Sequence, residues 1–448
     1  MSRSEYLMAG VSGVRGIVGP GMNPEIAVRY AAAFASDVRG ESRVVVGRDT
    51  RPSGPALASA VFSALQFRNC EAVDLGIAST PTVEIMVGEL GAAGGIIITA
   101  SHNGIEWNAL KFLDARGEFL SAADMDDLTE RARGEAVFPR GRPVGVLTTN
   151  DTGDAVHIRR ILELERIDRE RIASRRFRAV VDCVNGAGSR IMPALLRGLG
   201  VSVVELFTDV RAPFPHEPEP RPASLGELSR TVAREKADIG FACDPDADRL
   251  VLVDGSGTVL SEELTLAVAA DFILSKEKGP LVANLSSSRI VDDLGAKHGV
   301  PVHRSKVGEA NVVDLMKETR AAIGGEGNGG VIYPLLHYGR DAMLGAALAL
   351  QALAEEGVSL AEKVASFPRY FIVKEKFAFD GDFGRVEKAA QKRFAGDVCA
   401  ADGIRIDMPE GWVHLRRSNT EPVVRVIAEA RLVEDAERIA KEAGSLLL

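Results

Sequence analysis

Runs of consecutive apolar, mostly β-branched residues recur along this chain. Each is followed by a loop rich in Gly, Asp or Asn and then by a stretch with helical spacing. RVVVG at 43–47, GIIIT at 95–99, AVVD at 179–182 and LVAN at 281–284 are of this kind. A short apolar run without polar alternation predicts a strand buried on both faces, as in parallel α/β sheets. Helices are predicted over 24–39, 193–199 and 342–356. The pattern divides the 448 residues into four segments. Segments 1–150, 151–254 and 255–367 alternate strand and helix. Segment 368–448 reads as strand, helix, strand, strand, helix, which is α+β. The first three look alike in architecture but share no sequence period.

Composition narrows the classes. With 46% hydrophobic and 26% charged residues, the chain suits a soluble globular protein with sizeable cores. Its formal net charge of −9 disfavours nucleic acid and anionic membranes as partners. A few local cations and backbone N–H groups still suffice for one phosphate. The start, MSRSEYLMAG, lacks the apolar core of a signal peptide, and the apolar stretch 342–354 is too short to span a bilayer. Four scattered cysteines, with no CxxC pair, are expected to be buried free thiols in a reducing cytoplasm. Nothing in the sequence separates a monomer from a dimer.

Four loops carry candidate chemistry. Thr99-Ala100-Ser101-His102-Asn103-Gly104 directly follows a buried strand pattern, where α/β folds place reactive groups. It is not a G-x-S-x-G elbow, and a helix-capping turn is the plainer alternative. In Asp244-Pro245-Asp246-Ala247-Asp248-Arg249, three carboxylates at alternate positions repel one another unless a hard cation such as Mg²⁺ or Ca²⁺ neutralises them, a solvated acidic turn being the alternative. An EF-hand needs Gly at its sixth position and Glu at its twelfth; Arg249 and Gly255 stand there. Gly325-Glu326-Gly327-Asn328-Gly329-Gly330 matches G-x-G-x-x-G but precedes a strand pattern, which argues against a dinucleotide site. It reads either as a hairpin turn or as a loop whose backbone approaches a ligand, with Glu326 and Asn328 facing hydroxyls. Arg416-Arg417-Ser418-Asn419-Thr420-Glu421-Pro422, between two alternating strand patterns, offers a metal-free phosphate pocket that Arg425 could join, or a hairpin ST-turn. Near the start, Arg15 is flanked by Gly13 and Gly16. No His or Cys spacing supports zinc.

In this order, TASHN, DPDADR, GEGNGG and RRSNTEP make the chain resemble the α-D-phosphohexomutase family over nearly its full length. That family includes phosphoglucomutase, phosphomannomutase and phosphoglucosamine mutase. The resemblance implies three related α/β domains with mixed, mostly parallel sheets and a C-terminal α+β domain around a central cleft, one loop from each. It implies a cytoplasmic Mg²⁺-dependent enzyme that interconverts hexose 6-phosphate and hexose 1-phosphate. The reaction passes through a phosphoserine and a hexose 1,6-bisphosphate. Ser101 is then the phosphoserine and, with Asp244, Asp246 and Asp248, a metal ligand. Glu326 and Asn328 face the sugar, with Lys306 and Gly308 in a further sugar loop. Arg416, Ser418, Asn419 and Thr420 grip the non-reacting phosphate. Arg15, His102, Lys111 and Arg249 surround the transferring group; Arg15, Lys111 or His102 handles the hydroxyl proton.

The chain departs from many relatives at Gly104, where Pro is common, and at Ala109-Leu110 before Lys111. Asn328 and Gly330 stand where the phosphomannomutase/phosphoglucomutase type carries Ser and His. GEGNGG is similar to archaeal-type phosphoglucosamine mutases, which makes glucosamine 6-phosphate the expected substrate, with mannose or glucose phosphates as alternatives. A metal-dependent sugar phosphatase and a non-catalytic sugar-phosphate binder are the competing classes.

Overall fold

The computed structural model describes residues 6–10, 12–37, 42–141, 143–418 and 423–447. The first sheet has seven strands in the order Leu7–Gly10, Gly13–Ile17, Trp107–Leu113, Gly94–Ile98, Arg43–Arg48, Glu71–Ile77, Leu147–Thr149. It is evenly divided: the half around Arg43–Arg48 is parallel and the half carrying Gly13–Ile17 is antiparallel. The second and third sheets have four strands each. In both, three strands run parallel and one edge strand, Leu250–Asp254 or Gly330–Ile332, returns antiparallel. The fourth sheet is five-stranded and wholly antiparallel.

The apolar runs at 43–47, 95–99, 179–182 and 281–284 form the strands Arg43–Arg48, Gly94–Ile98, Arg178–Asp182 and Leu281–Asn284. The helix expected at 193–199 is longer, Gly188–Gly198, with Pro193 inside it. Proline lacks the N–H that would bond back one turn. Burial of Ile191, Met192, Leu195 and Leu196 outweighs that local loss. The last segment holds five strands where its pattern suggested three. The extra ones, Asp397–Cys399 and Ile404–Asp407, are three and four residues long, too short to show a period.

Hydrophobic packing shows which sheets share a core. One continuous core joins the second and third sheets, through Phe241, Leu266 and Leu348 among others. The helix Ala342–Glu356 is apolar on every face because it is surrounded; Arg171 and Arg175 of the second segment donate to carbonyls near its C-terminal end. The first and fourth sheets have separate cores. The fourth meets the third largely through polar contacts: Arg405 to the Leu285 carbonyl, Ser286 to His414, and Arg289 to Asp407 and Glu429. A cavity of about 670 Å³ lies at this junction, lined by Leu260, Ile290, Phe367 and Pro368. All four cysteines are free, and Cys70, Cys183 and Cys243 are buried. Among the described residues no helix is long and apolar enough to cross a membrane.

Candidate active site

Each candidate loop connects two antiparallel neighbours. The Ser101 loop joins Gly94–Ile98 to Trp107–Leu113, and the Asp loop joins Ile239–Cys243 to Leu250–Asp254. The Glu326 loop joins Ile323–Glu326 to Gly330–Ile332. It is a tight hairpin, and Glu326, Gly327 and Asn328 in it line a cavity. In each α/β sheet this turn sits where a parallel strand ends and the chain reverses.

Ser101 is buried, and its backbone is left-handed, with φ of 49°. A non-glycine residue pays for that conformation, by roughly 1–3 kcal/mol. Three neighbours hold it there. Ser101 N–H donates to Thr99 Oγ1 at 2.9 Å, and Thr99 Oγ1 donates to Asp49 Oδ2 at 2.7 Å. Arg51, fully buried and paired with Asp49, donates to the carbonyls of Ser101 (2.8 Å) and Asn103. Sequence reasoning missed Asp49 and Arg51. They follow a buried strand pattern just as Ser101 does, and that signal could have found them.

Ser101 Oγ donates to Asp244 Oδ2 at 2.6 Å, so the first and second loops share one site. Asp244, Asp246 and Asp248 are fully buried, with one carboxylate oxygen from each within 4.8 Å of the others. Burial, with Asp248 and Asp246 beside it, pushes the Asp244 carboxyl well above its usual range. Asp244 has both oxygens held by protein, Oδ2 by Ser101, whereas Asp246 and Asp248 have one each. Asp244 Oδ1 accepts from the N–H groups of Asp248 and Arg249, both at 3.2 Å. Asp246 Oδ2 accepts from Lys111 Nζ and Thr80 Oγ1, both at 2.7 Å. Asp248 Oδ2 accepts from Arg340 at 2.5 Å. Among the described residues, Oδ1 of Asp246 and Oδ1 of Asp248 are buried without a hydrogen-bond partner. Three convergent carboxylates, two of them with an orphaned oxygen, fit a divalent cation with room for further ligands.

Burial works against charge on Lys111, but Asp246 and Asp248 raise its pKa above the usual range. Burial likewise opposes ionisation of Asp246, yet Lys111 holds it below the usual carboxylate range. Burial, then Arg249 and Arg15, push His102 well down, which leaves a neutral imidazole 3.4 Å from Ser101 Oγ. Arg15 donates to Asn103 Oδ1 at 2.5 Å; burial and Arg249 bring its pKa down to about 10.

A cavity of about 260 Å³ takes its lining from all four segments: His102; Arg249; Glu326 and Asn328; Arg416 and Arg425. Arg221, Lys374 and Lys376 add to its cations, and Glu219, Glu262 and Glu375 to its carboxylates. Glu326 Oε1 accepts from Asn284 at 2.7 Å and from Gly308 N–H at 3.1 Å, while Asn328 lies 3.3 Å from its Oε2. Gly308 thus meets Glu326 through its backbone. Lys306 is exposed; its neighbour Val307 lines the cavity. Arg416 pairs with Asp402 at 3.2 Å and lies across the strands from Arg425. Ser418 N–H closes the hairpin on the Val423 carbonyl. Asn419 and Thr420 lie outside the described residues.

Models of the phosphoglucomutase/phosphomannomutase alpha/beta/alpha domains I, II and III match residues 7–136, 155–257 and 262–370. The model of the C-terminal domain of the same proteins matches 369–444. The chain belongs to the phosphoglucomutase/phosphomannomutase family. It is 36% identical to a Methanopyrus kandleri protein named "probable phosphoglucosamine mutase", over 97% of this chain and 96% of that one. It is also 36% identical to a Thermococcus kodakarensis "phosphoglucomutase/phosphomannomutase", over 95% of each. A phosphoglucomutase/phosphomannomutase family protein from Burkholderia thailandensis superposes with a TM-score of 0.86 at 27% identity, covering 100% of this chain and 97% of its own. This is a family of phosphohexomutases, isomerases that transfer a phosphoryl group within their substrate.

Proposed function

We propose that this chain interconverts glucosamine 6-phosphate and glucosamine 1-phosphate through phosphorylated Ser101 and a bisphosphorylated sugar. The observation that carries the reading is the 2.6 Å contact of Ser101 Oγ with Asp244, beside one cavity lined from all four segments. A hydrolase needs no second phosphate grip, and a mere binder needs no buried Asp triplet. Phosphoryl transfer asks for alignment and charge neutralisation more than for covalent help. Asp244, Asp246 and Asp248 would hold Mg²⁺, which when bound supplies positive charge against the transferring group.

The protein's own part follows from the residues. Arg51, Asp49 and Thr99 hold Ser101 against Asp244. Arg15 and Arg249 face the phosphoryl oxygens. Lys111, tied to Asp246, stays charged and serves as a counter-ion. His102 is the neutral group of the three proton-handling candidates, and a phosphate dianion on Ser101 offsets the cations that depress it. We assign it the hydroxyl proton. Glu326 and Asn328 meet sugar hydroxyls, and Arg416 and Arg425 hold the other phosphate. The intermediate must then turn so that its second phosphate meets Ser101. The separate core of the fourth domain and the cavity beside Pro368 favour a hinge there.

For the sugar, the GEGNGG loop and the Methanopyrus relative favour glucosamine. The Thermococcus relative, equally identical, favours glucose or mannose phosphates as the second reading. Protein purified from cells should carry phosphate on Ser101 by intact mass. Ser101→Ala should lose activity by a factor of about a thousand or more. Wild-type turnover in that variant would end the proposal. Across glucosamine, glucose, mannose and N-acetylglucosamine phosphates, kcat/KM should be highest for glucosamine. Equal values would remove only the sugar assignment.

A further inference from the structure

Arg340 belongs to none of the four sequence loops, yet it touches two of them. It stands directly before Asp341, whose carboxylate caps the helix Ala342–Glu356. Each of its guanidinium nitrogens meets a different carboxylate. Nε donates to Glu309 Oε2 at 2.9 Å, Nη1 to Glu326 Oε2 at 2.9 Å, and Nη2 to Asp248 Oδ2 at 2.5 Å. Its backbone N–H also donates to Glu309 Oε1 at 2.7 Å, so Glu309 grips both ends of the residue. The aliphatic stem fills the place where Gly330 lacks a side chain. A Cβ on Gly330 would lie 2.2 Å from Arg340 Cδ and 2.7 Å from its Cγ. The last glycine of GEGNGG therefore opens the passage through which Arg340 reaches the Asp loop.

We propose that Arg340 is a positioning residue: its single rigid fork orients Asp248 toward a divalent cation and Glu326 toward the sugar, so that the metal loop and the sugar loop are aligned as one unit. The inference rests on the function proposed above. Arg340 occupies Oδ2 of Asp248 and leaves the buried Oδ1 without a protein hydrogen bond, as Lys111 and Thr80 do for Asp246. A guanidinium suits this task because its donors lie in one plane at fixed angles, whereas an ammonium is a point charge on a flexible stem.

The rival account is that Arg340 only supplies positive charge among Asp248, Glu309 and Glu326. The two accounts predict opposite signs. Removing a mere counter-charge makes the site more negative and tightens cation binding. Removing a positioning group lets Asp248 turn away and weakens it. The probe is Mn²⁺, titrated by electron paramagnetic resonance into the full-length protein without sugar. In Arg340→Met, Mn²⁺ affinity should fall roughly ten- to a hundredfold, the range for partners of metal ligands. KM for hexose phosphate should rise by at least about tenfold over the same comparison. Arg340→Lys restores the charge but not the fork, and should remain well short of wild type in both readouts. Gly330→Ala keeps every charge and displaces the stem, so it should reproduce the Mn²⁺ loss even if Arg340→Met does not fold. Unchanged or tighter Mn²⁺ binding in Arg340→Met or Gly330→Ala, or full recovery by Arg340→Lys, overturns the proposal. If the wild type isomerises no hexose phosphate, the functional reading falls, and the Mn²⁺ titration still decides the role of Arg340.

Discussion

Ser101 is held in a left-handed conformation by a buried ion pair, and that pair is a stability element as well as a positioning one. Arg51 and Asp49 are both fully buried. Burying two charges costs several kcal/mol per ion before pairing, so removing one partner leaves the other uncompensated. Arg51→Met should therefore destabilise the protein by about 3–5 kcal/mol, read from urea unfolding at 25 °C. It should also release the carbonyls of Ser101 and Asn103 and lower kcat. A stability within about 0.5 kcal/mol of wild type, the range of surface substitutions, would show that Asp49 finds another partner. The same reasoning explains why Asp49 and Arg51 escaped the sequence reading. A charged pair after a strand looks like a solvated turn until its burial is known.

At the scale of elements, the pairing of Gly13–Ile17 with Trp107–Leu113 places two site cations on neighbouring strands, Arg15 opposite Ala109 and Lys111 two residues on. Gly13 makes that pairing close. Its φ is 102°, and a Cβ there would lie 2.1 Å from the Leu110 carbonyl oxygen and 3.0 Å from Lys111 Cα. Gly13→Ala has no flexible neighbour to push aside. We expect a loss of about 1–3 kcal/mol and a lower kcat as Arg15 and Lys111 shift. Differential scanning calorimetry with steady-state kinetics measures both, and a variant with wild-type Tm and kcat would contradict the close-approach argument. The glycines around Arg15 were visible in the sequence. Their reason, a backbone passing within van der Waals reach, was not.

For the whole molecule, a buried polar chain pins three domains together. Thr82 of the first domain bonds His157 of the second at 2.9 Å, and His157 bonds Asp341 of the third at 2.7 Å. His337 lies 3.2 Å from both Asp341 and Glu84. Burial works against a charge on His337, but Asp341 and Glu84 push its pKa up to about 9. Burial, with Glu309 nearby, pushes the Glu84 carboxyl up to about 8. The folded protein thus keeps protons that the unfolded chain releases near the ordinary His and Glu values. The His337 contribution is complete below pH 6.5 and is lost as pH rises through about 9; that of Glu84 declines in the same direction up to about 8. The apparent Tm should fall by roughly 2–6 °C between pH 6.5 and 9. His337→Gln should flatten this slope, and an unchanged slope would assign the pH dependence elsewhere.

Local pattern along the chain was enough to fix the elements and the chemistry they carry. Apolar runs such as those at 95–99 and 281–284 suit burial on both faces, and alternate carboxylates at Asp244, Asp246 and Asp248 repel one another unless positive charge neutralises them. Local spacing carries both facts because each depends only on near neighbours. Which distant groups meet in one site was set by the folded chain alone. Ser101 meets Asp244 across 143 positions and Arg340 meets Asp248 across 92. The even division of the first sheet and the common core of the second and third domains were settled in the same way. Those outcomes depend on burial and on side chains meeting through space. Hydrophobic pattern leaves both open, because the same apolar stripe can be covered by more than one partner.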